Sequence, residues 1–210
     1  MIPKPLGALI LAAGIGSRMG NRPKPLLQLN GESLIVRLVK AIHKNGIACP
    51  TVVLGHHHVP ISNALQGLPH RVVHADPRRL HQQDSLRAGL EHLRGHIGAL
   101  LICLGDQPLI GEHEIRALLR AYLMRPPGAR CVVPWVGEAP GNPVVLDAQA
   151  IEQILEKPAP YGGKDWQNEN PALVHRWMTV DESYRLDVDT PEDLVMMARR
   201  GSPLRWPEQA

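Results

Sequence analysis

The chain has 210 residues, of which 44% are hydrophobic, and a formal net charge of +3. This length suits one large α/β domain, and the absence of Phe, with aromatics at only 3%, predicts a core built on Leu, Ile, Val and Ala. The mild charge, spread without runs of Lys or Arg, argues against an extended nucleic-acid interface and is compatible with a small anionic substrate.

The cysteines and the first apolar segment bear on the cellular compartment. Cys49, Cys103 and Cys131 are widely spaced, odd in number and without a C-x-x-C pair, which is typical of a protein in a reduced interior. The apolar run over residues 8–12 is too short to span a membrane and lacks a signal-peptide cleavage pattern. We therefore expect a cytoplasmic protein with neither a membrane partner nor a nucleic-acid partner.

Short apolar runs alternate with amphipathic helical segments along the chain. This order predicts an α/β fold in which helices cover a mostly parallel sheet. We expect one domain over residues 1–200, a flexible tail over residues 201–210 and a mobile, Pro- and Gly-rich loop over residues 157–171. The predicted strands are residues 8–12, 51–54, 72–74, 99–104, 131–133, 144–146 and 177–180. The predicted helices are residues 34–43, 59–65, 86–93, 112–123 and 148–155, and a last helix that starts at Pro191. Ser33 is expected to cap the first of them, and Asp84 or Ser85 the third. Thr190 is expected to cap the last helix, with Asp193 completing a capping box.

The first predicted strand leads into a loop that contains glycines and ends at Lys24. Gly14 and Gly16 allow a tight turn and leave backbone N–H groups free to hold an anion. Arg18 and Lys24 place two cations on the same loop, and these features together predict a polyphosphate site. A purely structural interpretation, in which the segment is a strand-to-helix turn with surface cations, stays open.

Two better-known phosphate-binding patterns do not fit this loop. The Walker pattern G-x-x-x-x-G-K-[ST] is absent, because Lys24 lies between Pro23 and Pro25. The dinucleotide fingerprint G-x-G-x-x-G fails because its third glycine, Gly20, comes one residue late. It also requires a helix directly after the loop, whereas the prolines are expected to keep the chain extended as far as Gly31. A nicotinamide-dependent oxidoreductase is therefore disfavoured.

Carboxylates follow the fourth predicted strand and precede the last predicted helix. Asp106 comes just after the apolar run 99–104, and Asp187 and Asp189 alternate along an extended segment, which puts them on the same side of the chain. Ligands of open α/β sheets bind beyond the carboxyl ends of strands, and Mg²⁺ prefers carboxylate oxygens. We therefore predict a Mg²⁺ site made by Asp106 with Asp187 or Asp189, and the sequence does not decide between the last two.

Four other reactive side chains are interpreted as structural. His56, His57 and His58 are consecutive and cannot all face one ion in regular structure, and they lack partners with zinc-like spacing. Cys103 lies inside an apolar strand without a nearby base in the sequence, so it is expected to pack in the core.

Five segments, taken in order, resemble the signature elements of the MobA-like NTP transferases. The resemblance covers residues 7 to about 197 and is closest to the molybdopterin cytidylyltransferases. The matching elements are L-A-A-G-x-G-x-R-M-G at residues 11–20 with Lys24, S-L-R-A-G-L at 85–90, G-D-x-P at 105–108, G-N-P at 141–143 and D-x-D-T-P-E-D at 187–193.

This resemblance implies a single-domain, three-layer Rossmann-like nucleotidyltransferase fold and transfer of CMP from CTP to a phosphorylated acceptor, with release of pyrophosphate. The implied acceptor is molybdopterin, with Mg²⁺ as cofactor and room for a molybdoenzyme or chaperone as partner. Arg18 and the loop amides would hold the β- and γ-phosphates, Lys24 would neutralise the α-phosphate, and Asp106 would bind Mg²⁺. The implied nucleotide-binding residues are Leu11, Ala12, Ala13, Gly14, Gly16, Ser17 and Ser85, and the implied acceptor-binding residues are Gly141 and Asn142.

Two small residues of the first loop bear on which nucleotide the family member uses. Ala12 and Ala13 resemble the pyrimidine-using members, which favours CTP. The sequence departs from the family at residues 80–84, where G-M-S-S is replaced, and at residues 162–170, where a compact G-D-x-G-A-R stretch is replaced. These departures bear on the base and on the acceptor. Two alternatives stay open. One is a nucleotidyltransferase for a sugar phosphate or similar metabolite, which residues 23–27 resemble although residues 104–108 and 141–143 do not. The other is a catalytically silent nucleotide-binding module, which the altered stretch at residues 162–170 would allow.

Overall fold

The computed structural model describes residues 5–76, 78 and 81–208, and the chain folds there into an α/β domain. The strands are β1 Leu6–Ala12, β2 Gln28–Leu29, β3 Glu32–Ser33, β4 Thr51–Leu54, β5 Arg71–His74, β6 Ala99–Leu104, β7 Cys131–Val136, β8 Ala139–Pro140, β9 Val144–Asp147, β10 Val174–Thr179 and β11 Leu204–Arg205. The helices are α1 Leu34–Lys44, α2 His58–Ala64, α3 Gln82–Leu93, α4 Glu112–Leu123, α5 Ala148–Glu156, α6 Gly163–Glu169 and α7 Pro191–Arg199. None of the described helices is long and apolar enough to cross a bilayer.

The central sheet is mostly parallel, as predicted. Its strand order is β10-β7-β9-β6-β1-β4-β5, with β8 paired to β7. β1 lies in the middle, parallel to β6 on one side and to β4 on the other, while β9 runs antiparallel to β6 and β7. The strand order therefore reverses direction around β1, and in such sheets ligands bind in the crevice at the carboxyl ends of the strands.

Helices cover both faces of the sheet, which confirms the three-layer prediction. Side chains alternate along β1 because successive residues of a strand point to opposite faces. Ala8 and Ile10 pack in a cluster with apolar residues of α1, α2 and α4. Leu9 packs in a second cluster with α3, α5 and α6. The core is aliphatic apart from a few aromatic residues, among them the fully buried Trp166.

A small second sheet, with strand order β11-β2-β3, stands beside the main one. β2 and β3 form a hairpin, and the turn residues Asn30 and Gly31 both have positive φ, at 54° and 81°. This is the turn geometry that an Asn-Gly pair favours. A third group of buried apolar side chains, here named the loop-side cluster, packs against this sheet: Met19, Leu27, Leu29, Leu34, Val188, Met197 and Leu204.

Two of the predicted irregular regions are regular structure. The prediction of a mobile loop over residues 157–171 is wrong for residues 163–169, which form α6. Trp166, at 1% exposure, anchors this helix in the core, and its indole N–H donates to Gln153. The prediction of a flexible tail from Gly201 is wrong for Leu204 and Arg205, which form β11 and pair with β2. Residues 209 and 210 lie outside the described residues.

Two predicted boundaries near the first loop and α3 also need correction. The chain is not extended throughout residues 23–31, because Lys24–Leu26 form a short 3-10 turn that starts on Pro23. The prediction that Asp84 or Ser85 caps the third helix is wrong, because α3 begins at Gln82 with His81 as its N-cap residue. Asp84 lies in the first turn of the helix, where negative charge is favourable. By contrast, Thr190, Pro191 and Asp193 form the predicted start of α7.

Candidate active site

A cavity of about 350 Å³ opens at the carboxyl ends of β1, β4, β5 and β6. The strand order places these four ends next to one another, so loops that are far apart in sequence share one crevice. The lining residues are Leu11, Ala12, Ala13, Gly14, Ile15, Arg18, Lys24, Pro25, Gly55, His56, Ala75, Asp76, Gln82, Ser85, Leu104, Asp106, Asp187 and Asp189.

The loop after β1 is held in one shape by its glycine backbone. Gly16 has a left-handed conformation with φ 72°, and a Cβ atom at this position would lie 2.2 Å from the carbonyl oxygen of Arg22. The Gly16 carbonyl accepts hydrogen bonds from the N–H groups of Met19 and Asn21, at 2.8 and 3.0 Å. Only glycine can adopt the positive φ and also leave room for the Arg22 carbonyl without moving the backbone. Residues 18 and 24, at the two ends of this closed loop, both line the cavity and both contact Asp189.

A network of charged side chains spans the cavity. Lys24 Nζ lies 2.5 Å from Asp106 Oδ2 and 2.6 Å from Asp189 Oδ1, and Arg18 donates to Asp189 Oδ2 at 2.7 Å. The Lys24 side chain is 13% exposed, whereas that of Arg18 is 67% exposed. Lys24 is therefore the fixed internal cation of the site, and Arg18 is the cation that can reorient at low cost.

Several aspartates and two cations share the cavity, and their proximity shifts the pKa values of Lys24, Asp187 and Asp189. Burial lowers the pKa of Lys24, but the charges and hydrogen bonds of Asp106 and Asp189 outweigh burial and raise it above its usual value. The hydrogen bond from Lys24 lowers the pKa of Asp189, and Arg18 adds to that effect. Burial and the charges of Asp106 and Asp189 raise the pKa of Asp187. An additional cation would relieve the unbalanced charge at Asp187.

Backbone contacts fix the distance between the two carboxylate segments. The N–H of Val188 donates to the carbonyl of Asp106 at 3.1 Å, which ties the β6 end to the segment before α7. Asp193 accepts hydrogen bonds from the N–H groups of Asp189 and Thr190, at 2.9 and 2.8 Å. The capping box therefore orients the Asp189 backbone as well as starting α7. Asp187 and Asp189 both line the cavity.

The structure brings most of the sequence-predicted site residues into this one cavity. They are Leu11, Ala12, Ala13, Gly14, Arg18, Lys24, Ser85, Asp106, Asp187 and Asp189. Gly16 and Ser17 are not among the lining residues: Gly16 shapes the loop, and Ser17 is exposed in the short helical turn Ser17–Met19. In the described residues, no group of three His, Cys, Asp or Glu side chains is arranged to hold a metal ion, and Lys24 lies between two of the proposed ligands.

Gly141 and Asn142 do not line the cavity. They pack on the segment that carries Asp106, because Gln107 donates to the carbonyls of Asn142 and Tyr184, each at 3.2 Å. A Cβ atom at Gly141 would lie 2.5 Å from the Tyr184 carbonyl oxygen, so this contact requires glycine. The G-N-P element therefore braces the Asp106 loop in this conformation.

Sequence reasoning missed the part of the cavity contributed by β4, β5 and the start of α3. Gly55, His56, Asp76 and Gln82 line it. A Cβ atom at Gly55 would lie 2.6 Å from the Ala13 carbonyl oxygen, so glycine lets the β4 end approach the first loop. Their position in the sequence was the available signal, since Gly55, His56 and Asp76 each lie within two residues of the end of a parallel strand.

The histidines and cysteines have separate environments. His57 contacts the Ile15 carbonyl at 3.0 Å, His56 lines the cavity, and His58 stacks edge-on against His74. The three consecutive histidines thus point to different neighbours. Cys103 is 1% exposed in β6, where burial raises the pKa of its thiol, as a core position requires.

A glycine loop with two cations and a carboxylate at the ends of parallel strands, faced by two carboxylates from the segment before α7, is typical of proteins that bind a phosphorylated ligand. The sequence match makes this more specific. Residues 8–174 match the family described as the MobA-like NTP transferase domain. The chain belongs to this family. The matched range includes the first loop and Asp106, and it ends before Asp187 and Asp189.

Among curated proteins, the chain is similar to the bifunctional protein GlmU of Sorangium cellulosum (strain So ce56). The two are 34% identical over 123 residues, which is 55% of this chain and 26% of that protein. The chain therefore spans about a quarter of the length of this relative.

Solved structures share the whole fold. A nucleotidyl transferase from Methanothermobacter thermautotroptrophicus aligns with a TM-score of 0.75 and 24% identity, over 94% of this chain and 97% of that one. 4-Diphosphocytidyl-2C-methyl-D-erythritol synthase from Anaerococcus prevotii aligns with a TM-score of 0.71 and 15% identity, over 93% and 97% of the chains. A Mycobacterium tuberculosis protein in complex with manganese, Rv0371C, aligns with a TM-score of 0.65 and 21% identity, over 93% and 96%. At these identities the likeness establishes the fold.

Proposed function

We propose that the protein is a nucleotidyltransferase that moves a nucleoside monophosphate from a nucleoside triphosphate to a phosphorylated acceptor and releases pyrophosphate. The observation that carries this proposal is the convergence of two cations and three carboxylates on one cavity. Transfer of this kind requires in-line positioning and neutralisation of developing charge more than covalent catalysis. Membership of the MobA-like NTP transferase family supports the same reaction class.

The two cations take different roles in this proposal. The exposed Arg18 leaves Asp189 and, with the backbone N–H groups of the loop, holds the β- and γ-phosphates. The buried Lys24 neutralises the α-phosphate and the attacking acceptor phosphate. Since Lys24 contacts both carboxylate segments, its charge already lies inside the cavity, and only its amino group has to turn to reach the phosphates.

The carboxylates suit a divalent cation. Asp106, with Asp187 and Asp189, offers hard oxygen ligands of the kind that Mg²⁺ prefers. Burial, together with the charges of Asp106 and Asp189, raises the pKa of Asp187. Mg²⁺, when bound, would supply positive charge that stabilises the charge developing on the phosphate oxygens. To admit the ion, Lys24 must release at least one carboxylate and turn toward the phosphates. The manganese complex of the structural neighbour Rv0371C supports a divalent ion of this type.

We propose CTP as the nucleotide. Ala12 and Ala13 line the cavity beside Ser85, which is 7% exposed on α3. These small side chains leave room for a pyrimidine, and the polar groups of His56 and Gln82, which also line the cavity, can form hydrogen bonds to the base edges. A base other than cytosine would leave these hydrogen-bonding groups unpaired, so the site can favour CTP over other nucleoside triphosphates by a few kcal/mol. The fold shared with a diphosphocytidyl-forming synthase is compatible with this choice.

The acceptor proposed is molybdopterin, with a molybdoenzyme or its chaperone as the recipient of the product in the cytoplasm. This rests on the sequence resemblance alone, because Gly141 and Asn142 brace the Asp106 loop and do not line the cavity. Because α6 replaces the compact family stretch, the acceptor is the part of the proposal that most needs a direct test.

The test is pyrophosphate release from a panel of nucleoside triphosphates with Mg²⁺ and a panel of acceptors. We expect release with CTP that depends on molybdopterin. Release that instead requires a sugar 1-phosphate would identify the alternative metabolite nucleotidyltransferase. Nucleotide binding without release would identify a silent binding module, and tight NADPH binding without triphosphate turnover would point back to an oxidoreductase. Mass spectrometry of ligand that co-purifies with the protein would identify the acceptor independently.

A further inference from the structure

The segment that contains β11 is built into the support of the proposed phosphate loop. Leu204 and Arg205 pair antiparallel with Leu29 and Gln28 of β2. Leu204 is 7% exposed because its side chain lies in the loop-side cluster. This two-residue strand therefore joins residues distant in sequence to the hairpin that directly follows Lys24.

The loop-side cluster includes residues next to Arg18, near Lys24, and between Asp187 and Asp189. Met19, at 6% exposure, follows Arg18, and Val188, at 0% exposure, separates Asp187 from Asp189. Leu27, at 0% exposure, closes the short helical turn that begins at Lys24, through its N–H to the Lys24 carbonyl at 3.0 Å. Packed apolar groups transmit displacement because the interior has little free volume. The positions of the charged groups therefore depend on the integrity of this cluster.

Trp206, the residue after β11, contacts the loop that follows β1. The guanidinium carbon of Arg22 lies 3.9 Å from the centre of the Trp206 ring, which is cation–π geometry. The Arg22 backbone is the part of the loop that closes on Gly16, since a Cβ atom at Gly16 would lie 2.2 Å from the Arg22 carbonyl oxygen. Trp206 thus holds the loop at its closing point, between Arg18 and Lys24 in sequence.

We propose that residues 204–206 act as a strap that positions the phosphate loop, with Trp206 as a positioning residue through its contact with Arg22. This inference rests on the proposed function for its kinetic consequence. Loss of the Trp206 ring should let the segment between Gly16 and Lys24 fluctuate, so that triphosphate binding must first order it. The acceptor side, which is held by Gln107 and the G-N-P element, should be unaffected.

The expected effect follows from the usual strength of a cation–π contact, which corresponds to about 2- to 30-fold in an equilibrium constant. Trp206→Ala should raise the KM for the nucleoside triphosphate and its calorimetric Kd with Mg²⁺ by this factor. The KM for the acceptor should stay within about twofold of the parent. A purely structural role would instead reduce the fraction of folded enzyme, which lowers kcat and leaves both KM values unchanged.

Four further variants serve as controls, among them the single variant Arg22→Ala. Trp206→Phe keeps an aromatic face for Arg22 and should recover most of the parent affinity. Arg205→Ala removes an exposed side chain of the same strand and should behave as the parent. Because Arg22 and Trp206 act as one contact, the double variant Arg22→Ala with Trp206→Ala should be no weaker than the worse single variant.

A second measurement does not depend on turnover. Hydrogen exchange followed by mass spectrometry should show faster exchange in the peptide over residues 16–24 of Trp206→Ala, by about 2- to 30-fold, and not in Arg205→Ala. Unchanged exchange and unchanged triphosphate affinity in Trp206→Ala would overturn the strap. If the parent protein neither binds nor turns over any nucleoside triphosphate, the proposed function fails, and the exchange data still decide whether residues 204–206 hold the loop.

Discussion

Replacement of Lys24 by Met tests the charged network with little change in side-chain volume. The substitution removes two charge-assisted hydrogen bonds, to Asp106 at 2.5 Å and to Asp189 at 2.6 Å. Hydrogen bonds to charged groups contribute about 1.5–3 kcal/mol each. The carboxylates are 21% and 32% exposed, so water will compensate part of the loss. We expect the free energy of unfolding to fall by about 2–3 kcal/mol in total, as for partly buried charges left without a partner.

Thermal unfolding measures this loss directly. For a chain of this size about 1 kcal/mol corresponds to roughly 2–4 °C in Tm, so Lys24→Met should lower Tm by about 4–12 °C without metal. Lys40→Met is the matched control, since Lys40 forms one surface ion pair with Glu32 and its side chain is 50% exposed. That substitution should change Tm very little. Millimolar Mg²⁺ should recover more stability in Lys24→Met than in the parent, because the ion no longer competes with the lysine.

Turnover of the same variant tests the catalytic role. Loss of a preorganised charge at the transferring phosphate should reduce kcat by about 10²–10³. Equal Tm values for Lys24→Met and Lys40→Met, together with kinetics within tenfold of the parent, would refute the reasoning. A large Tm change with normal kinetics would make Lys24 a structural counter-ion only.

Three other predictions concern the metal, the loop and the base. Asp106→Asn removes one ligand charge with almost no change in shape, so activity should fall and calorimetry with bound nucleotide should show weaker Mg²⁺ affinity; unchanged affinity would mean that Asp106 is structural. Gly16→Ala should destabilise the protein by about 1–3 kcal/mol and raise the KM for the triphosphate, because a Cβ atom meets the Arg22 carbonyl. Gly20→Ala is its control, since φ is 69° there but nothing lies within 4 Å, and an equal loss in both variants would show that strain alone matters. CTP with Mg²⁺ should raise Tm more than GTP, because a ligand at about 100 times its Kd stabilises by roughly 2.7 kcal/mol; an equal or larger shift with GTP would overturn the pyrimidine assignment.

The layered sheet and most of the cavity follow from local sequence signals. Apolar runs such as residues 99–104 form buried parallel strands, and the carboxyl ends of parallel strands meet in one crevice. Asp106 could therefore be placed in that crevice from its position after a strand. The capping box at Thr190 and Asp193 is equally local and was predictable for the same reason.

The features that the sequence did not reveal depend on distant contacts. α6 looks like a polar loop, but the burial of Trp166 and an N-terminal contact, in which Gly162 N–H donates to Asp165, stabilise a helix there. β11 is two residues long and has no periodicity to detect, so its pairing with β2 exists only in the folded chain. Tertiary packing overrides weak local propensity in both cases.

The charged network of the cavity also depends on contacts between residues that are distant in sequence. Lys24 contacts Asp106, 82 residues away, and Asp189, 165 residues away. The sequence indicated a phosphate-binding lysine and metal-binding carboxylates separately. It gave no sign that these groups bind one another across the cavity.

The fate of each phosphate in the reaction is the most direct measurement of nucleotidyl transfer. CTP labelled separately at the α- and γ-phosphates would be incubated with the protein, Mg²⁺ and molybdopterin, and the products separated. We expect the α label in the acceptor and the γ label in pyrophosphate. Appearance of the γ label in the acceptor, or of the γ label only as inorganic phosphate, would contradict nucleotidyl transfer at this site.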